Sequence, residues 1–270
     1  MAFLNTSKDK QALHLPTLQF MLNRLRFPLQ NIWRLLFFLN TFISLVPLYP
    51  FFLVFVNDEK HFTKAFKLKK IWAWLMLAPL GISWKAELEE ELGDGPYILC
   101  ANHTSYLDII VSYLTFPVYY HYLGKVELTK WYLFNIFFKK MNIPIDREHS
   151  RKAYSALDRA KADLQKGISI AIYPEGTVSP NAPKLSRFKS GAFRLAIDSQ
   201  VPIVPITFLY NWDILPRRRN RYKGGRPGLS VVRIHKPIST VGMTSKDYET
   251  LRLQVIDTIS TELRGRGFEA

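Results

Sequence analysis

PYILCANHTSYLDII, residues 96–110, changes its texture halfway along. PYILCA (96–101) is a short apolar run closed by an asparagine, which reads as a strand. Past the polar turn, Ser105 is placed to cap a helix that carries Asp108 in its first turns. The same alternation recurs down the chain. Strands are expected at 118–123, 168–173, 202–208 and 229–234. Helices are expected at 105–116, 127–140, 148–166, 187–199 and 245–266. In the fourth of these, Phe188, Ala192, Leu195 and Ala196 share a face, and in the last Leu251, Val255, Ile259 and Leu263 recur every fourth residue. Alternating strand and helix predicts an α/β fold, a mostly parallel central sheet covered by helices.

Upstream the chain is different. LLFFLNTFISLVPLYPFFLVFV (35–56) holds no charge, and a second run, IWAWLMLAPLGISW (71–84), follows a lysine-rich link. About 20 apolar residues suffice to cross a bilayer, but Pro47 and Pro50 are expected to kink or end a helix in the first run. Basic residues flank both sides, with Arg24, Arg26 and Arg34 before the first run and Lys60, Lys64, Lys67, Lys69 and Lys70 after it. The positive-inside tendency therefore gives no direction. A kinked hairpin dipping into one leaflet fits the prolines, the charges and the tryptophans at 33, 72, 74 and 84 better than a simple crossing. Two amphipathic helices on a soluble core are the alternative. The charged, turn-forming KAELEEELGDGP (85–96) marks a boundary. It divides a membrane-associated helical segment, 1–85, from a globular domain, 86–270.

The chain has 270 residues with 37 Lys and Arg against 22 Asp and Glu, a formal charge of +15. Such a balance calls for an anionic partner: nucleic acid, an acidic membrane surface or a phosphorylated substrate. One cysteine, Cys100, excludes an intramolecular disulfide and a cysteine metal cluster, and fits a reducing compartment. His14, His61, His121, His149 and His235 show no metal-ligand spacing.

In open parallel sheets ligands gather beyond the carboxyl ends of the strands, and Asn102 and His103 stand just past one. On a straight helix His103 and Asp108 would not share a face; across a strand-to-helix turn Asp108 can fold back. A carboxylate on one ring nitrogen fixes the tautomer and leaves the other nitrogen free to take a proton. With no G-x-S-x-G elbow, this pair suits a base that activates an incoming hydroxyl. Two further stretches follow predicted strands or bends. AIYPEGTVSP (171–180) places Glu175, Gly176 and Thr177 in a turn whose N–H groups can face an anion or a hydroxyl. IPIDR ends in Arg147, a planar fork suited to phosphate.

Taken in order, NHTSYLD, IPIDR, YPEGTVS and VPIVPIT resemble the four blocks of the glycerolipid acyltransferases, the family of the 1-acyl-glycerol-3-phosphate acyltransferases, over roughly residues 86–240. The resemblance implies His103 as general base with Asp108 orienting it. It implies Arg147 on the acceptor's phosphate, Glu175, Gly176 and Thr177 seating the acceptor, and Pro205 in a strand on the donor side. It further implies acyl-CoA or acyl-carrier protein as donor, a lysophospholipid acceptor, membrane lipids as surroundings, no metal or other cofactor, and no covalent acyl-enzyme. The family's third block usually reads E-G-T-R-S, and Val178 stands here for the arginine. Lys184, Arg187 and Lys189 are positioned to supply the missing charge. Alternatively, Val178 points to another acceptor, such as a lyso-amino-acid lipid. The basic PRRRNRYKGGRP (216–227) is not accompanied by a nucleic-acid module, so it reads as a solvated loop or a headgroup contact, and no nucleic-acid partner is expected.

Overall fold

The computed structural model describes residues 28–130, 135–146, 150–217 and 224–269. Its strands are β1 (Ile82–Leu88), β2 (Ile98–Ala101), β3 (Tyr120–Lys125), β4 (Ile143–Ile145), β5 (Ser169–Ile172), β6 (Ile203–Leu209) and β7 (Gly228–Ile234). They form one seven-stranded sheet in the order β1-β7-β6-β2-β5-β3-β4. Every neighbouring pair is parallel except β6 with β7. Helices α1 (28–45), α2 (Tyr49–Phe55) and α3 (Phe62–Leu77) precede the sheet. The others are α4 (Leu107–Thr115), α5 (Ser150–Gln165), α6 (Gly191–Ser199), α7 (Asn211–Ile214) and α8 (Tyr248–Gly265).

Side-chain alternation in the strands makes two cores. Leu99 and Ala101 of β2 point into a cluster with α1–α4, whereas Ile98 and Cys100 point into one with α5, α6 and α8. Strands covered on both faces read as continuous apolar runs, which is why β2, β5 and β6 were legible. Two strands were not. β1 is an edge strand whose ISWKAEL buries only Ile82 fully, so its charges conceal it. β4 has three residues and holds Pro144, which an edge position tolerates. The unbroken helix expected at 127–140 is replaced, in its described parts, by a 3-10 turn at Val126–Lys130 and a π-turn at Phe137–Met141. The chain has to reverse there to lay Ile143 beside Leu123 of β3.

The apolar amino-terminal runs form an antiparallel helical pair. Asn40 Nδ2 donates to the carbonyls of Leu75 and Met76, Trp72 Nε1 to Ser44 Oγ, and Trp33 Nε1 to the Leu80 carbonyl. As expected, Pro47 and Pro50 interrupt the first arm: α1 ends at residue 45 and the run continues through a 3-10 turn and α2. Each proline falls in the first turn of its own short helix, Val46–Leu48 and α2, where a missing N–H costs nothing. Pro28–Phe55 is long and apolar enough to cross a membrane. One side of the pair, with Phe37, Leu45 and Phe52, is buried in the core. The other exposes Leu35, Leu39, Phe42, Ile43, Phe51, Val54, Ile71 and Trp74.

One basic residue of α3 is buried. Lys69 is 2% exposed, with Nζ 3.2 Å from Met141 Sδ and lying over the rings of Phe137 and Tyr113. Burial without a carboxylate partner among the described residues brings its ammonium down to about 7. Unfolded, a lysine titrates at about 10.4. Between those values the unfolded chain binds more protons, so stability should rise with pH across that window. Lys69→Met is expected to stabilise the protein at pH 7 by about 1–4 kcal/mol. The gain should shrink by pH 10, as read from denaturant unfolding at both pH values.

Candidate active site

Three adjacent parallel strands deliver the site. β2 lies between β5 and β6, and the chain leaving their carboxyl ends supplies His103, Glu175 and Asn211 respectively. The turn after β2 is pinned by Asn102, whose side chain accepts from the Phe208 N–H at 2.7 Å and donates to the Phe208 carbonyl at 3.3 Å. His103 and Asp108 do meet: His103 Nδ1 lies 2.9 Å from Asp108 Oδ2. Asp108 is fully buried, and its carboxylate also accepts from the Thr104 N–H (2.6 Å), the Ser105 N–H (2.9 Å), Thr104 Oγ1 (3.1 Å) and Asn211 Nδ2 (2.9 Å). With acceptors only on Asp108, the imidazole proton sits on Nδ1. His103 Nε2 makes no hydrogen bond among the described residues. Tyr173 stacks on the imidazole, ring centroids 4.1 Å apart and 16° from parallel, and its hydroxyl is 3.1 Å from that of Tyr122.

A second histidine–aspartate pair shows what a closed one looks like. His121 Nδ1 is 2.8 Å from Asp163 Oδ2, but its Nε2 is also engaged, 2.7 Å from the Tyr119 hydroxyl. It lines a cleft of about 400 Å³ with Phe62 and Lys166. That cleft is at the amino-terminal ends of the strands, away from His103. His121 is therefore a structural histidine, held by hydrogen bonds in its strand.

The turn after β5 packs against the His103 turn. Glu175 is buried, with Oε1 accepting from the His103 N–H at 2.7 Å and Oε2 from the Ser186 N–H at 3.0 Å. Burial pushes its carboxyl above the usual carboxylate range, and the two N–H donors pull it back. Both oxygens are thus occupied by the protein's own backbone. Gly176 takes a φ of +78°, a conformation natural to glycine, and Thr177 is exposed beside it. The Ser179 N–H closes the turn onto the His103 carbonyl at 2.8 Å. Lys184 and Lys189 are exposed on the loop that follows. Val178 is buried, and its carbonyl accepts from Arg217 Nη1 at 2.6 Å, so a guanidinium does reach this turn from another part of the chain. Arg147 lies outside the described residues.

Sequence reasoning missed Tyr173 and Asn211. The only local signal for either was a polar or aromatic residue at the carboxyl end of a strand, the sheet edge on which the site was expected.

Residues 83–209 match the family model described as Acyltransferase. The 1-acyl-sn-glycerol-3-phosphate acyltransferase alpha of Mus musculus is 32% identical over 188 residues, taking in 64% of this chain and 62% of that protein. The 1-acyl-sn-glycerol-3-phosphate acyltransferase of Saccharomyces cerevisiae is 32% identical over 193 residues, 68% of this chain and 62% of that protein. The chain thus spans less than two thirds of the length of these curated relatives. The crystal structure of the 1-acyl-sn-glycerophosphate acyltransferase PlsC from Thermotoga maritima shares the fold, with a TM-score of 0.72 over 91% of this chain and 98% of that one at 23% identity. Over residues 83–209 the chain is thus similar to the acyltransferases that its ordered blocks resemble.

Within this site Glu175 is a clamp between two turns, and Thr177 is not. Glu175→Gln keeps the volume but sets an amide nitrogen against one of two buried N–H donors. A loss of about 1–3 kcal/mol is expected in thermal unfolding, while exposed Thr177→Ala should stay within about 0.5 kcal/mol of wild type.

Proposed function

We propose that this chain transfers a fatty acyl group from acyl-CoA or acyl-carrier protein to the free hydroxyl of 1-acyl-sn-glycerol 3-phosphate, giving phosphatidic acid in phospholipid biosynthesis. One observation carries the reading: His103 is bound to a buried carboxylate through Nδ1, while Nε2 is left unengaged by any described residue. A histidine held this way is a base without a protein nucleophile of its own. Cys100 does not supply one. It is buried on the opposite face of β2, and burial pushes its thiol well above the ordinary range.

In the reaction the acceptor hydroxyl attacks the thioester carbonyl carbon as His103 Nε2 takes its proton. The carbonyl π pair moves onto oxygen, giving a tetrahedral oxyanion. When that pair returns, the carbon–sulfur bond breaks and the departing thiolate recovers the proton from the imidazolium. Asp108 stabilises the imidazolium between the two steps, since its buried negative charge is worth most where water is excluded. Alignment of the two bound substrates supplies much of the remaining acceleration.

Gly176, Thr177, Lys184 and Lys189 are proposed to seat the acceptor, together with Arg147. Glu175 would act through the backbone of His103, both its oxygens being taken. The outward apolar side of the α1–α3 pair is proposed to enter the bilayer. Exposed Lys60, Lys64 and Lys67 would lie at its anionic surface, each adding about 1 kcal/mol of attraction. The acyltransferase domain would then face the cytoplasm. Burial of Val178 where the family carries arginine favours a second reading, acylation of a lysolipid without a glycerol phosphate, such as a lyso-amino-acid lipid.

Purified full-length protein given lysophosphatidic acid and palmitoyl-CoA in detergent micelles is expected to form phosphatidic acid. His103→Ala should slow that reaction by about 10²–10⁴-fold, and a variant as fast as wild type would refute the assignment. Preference for a lyso-amino-acid lipid, when both acceptors compete for one donor, would replace lysophosphatidic acid as the acceptor.

A further inference from the structure

The segment 210–217 lies just beyond the residues matched by the family model, which end at 209. It leaves the carboxyl end of β6 and folds over both turns of the site. Its three tethers are Asn211 Nδ2 to Asp108 Oδ1 (2.9 Å), Ser105 Oγ to the Leu215 carbonyl (2.7 Å) and Arg217 Nη1 to the Val178 carbonyl (2.6 Å). Asn211 is the one donor to Asp108 from outside residues 103–108 among the described residues.

Two costs accumulate at this corner. Tyr210 adopts φ +71°, a left-handed conformation unfavourable for a bulky side chain. Asn211 is fully buried, yet its Oδ1 has no hydrogen-bond donor among the described residues. Turning the amide over would set Oδ1 against the Asp108 carboxylate, acceptor facing acceptor, so the charge of Asp108 holds Nδ2 inward. An apolar side chain of this size would incur neither the orphaned oxygen nor the need for orientation. The strain and the unsatisfied acceptor share one result: an N–H aimed at Asp108 Oδ1.

We propose that Asn211 is a positioning residue for the His103–Asp108 pair, and that segment 210–217 is a strap that fixes the pair from the β6 side. The inference rests on His103 acting as the base. Thr104 and Ser105 approach Asp108 from the turn that carries His103, so they move with it. Asn211 anchors the carboxylate to a different strand, which fixes its rotation about χ2 and, through Nδ1, the direction of Nε2. Asn211 acts on the chemical step and touches no substrate.

The test compares Asn211→Leu in the wild-type and His103→Ala backgrounds, using full-length protein with lysophosphatidic acid and palmitoyl-CoA. In the wild-type background kcat should fall about 10- to 100-fold. KM for each substrate should stay within about twofold, and the unfolding temperature should fall by no more than about 5 °C, because removing the orphaned oxygen offsets part of the lost bond to Asp108. In the His103→Ala background the same change should alter the residual rate by less than about twofold, because groups that act as one unit are not additive. Equal loss in both backgrounds would mark a purely structural role and overturn the proposal, as would an unchanged kcat. Should leucine not be accommodated, Asn211→Ala adds no bulk and is read the same way. A fully active His103→Ala protein would sink the base assignment and this inference together; an inactive one beside a fully active Asn211→Leu protein would sink this inference alone.

Discussion

A carboxylate removed from water must be surrounded by donors or give up its charge. Asp108 is surrounded: one ring nitrogen, two backbone N–H groups, one hydroxyl and one amide converge on its two oxygens. Because the donors are fixed by the turn after β2 and by the corner after β6, the carboxylate has one orientation. The imidazole that it binds inherits that orientation. The rest of the site is arranged around this ring, with Tyr173 against its face and Glu175 holding its backbone N–H.

That arrangement needs the sheet. Parallel strands end on the same edge, so residues from three chain-distant turns come within hydrogen-bonding distance once β2 lies between β5 and β6. Polar atoms at such an edge are buried by neighbouring turns rather than by secondary structure, and they must satisfy one another. Glu175 illustrates the consequence. Its two oxygens join the N–H groups of His103 and Ser186, so the turn after β5, the loop beyond it and the His103 turn form a single rigid unit.

The amino-terminal helices are tied to the same unit. α4, which carries Asp108, packs on α3, and the ring of Phe66 meets that of Tyr113 at 6.0 Å. The helical pair therefore has two apolar sides with different fates: one completes the core behind the site and the other is left facing outward. The outward side is the one proposed to enter the bilayer, and the formal charge of +15 agrees with an anionic surface there.

The alternation of strand and helix, the position of His103 past a strand, the meeting of His103 with Asp108 and the apolar helical pair were all legible in the sequence. Each depends on local periodicity or on a spacing of a few residues, which a linear chain displays. The sequence did not display β1, whose charges hide an edge strand, or β4, which is too short to show a period. Nor did it display the antiparallel step between β6 and β7. It marked Glu175 as a site residue without revealing that both oxygens are spent on backbone, and it left Tyr173 and Asn211 unmarked. Tyr173 and Asn211 depend on partners 70 and 103 residues away, in the His103–Tyr173 stack and the Asn211–Asp108 bond, and Glu175 on His103 at 72. Such pairings exist only once the strands have taken their order in the sheet. Residue type and local pattern determined which groups were available for chemistry, and the stacking of strand ends decided which of them touch.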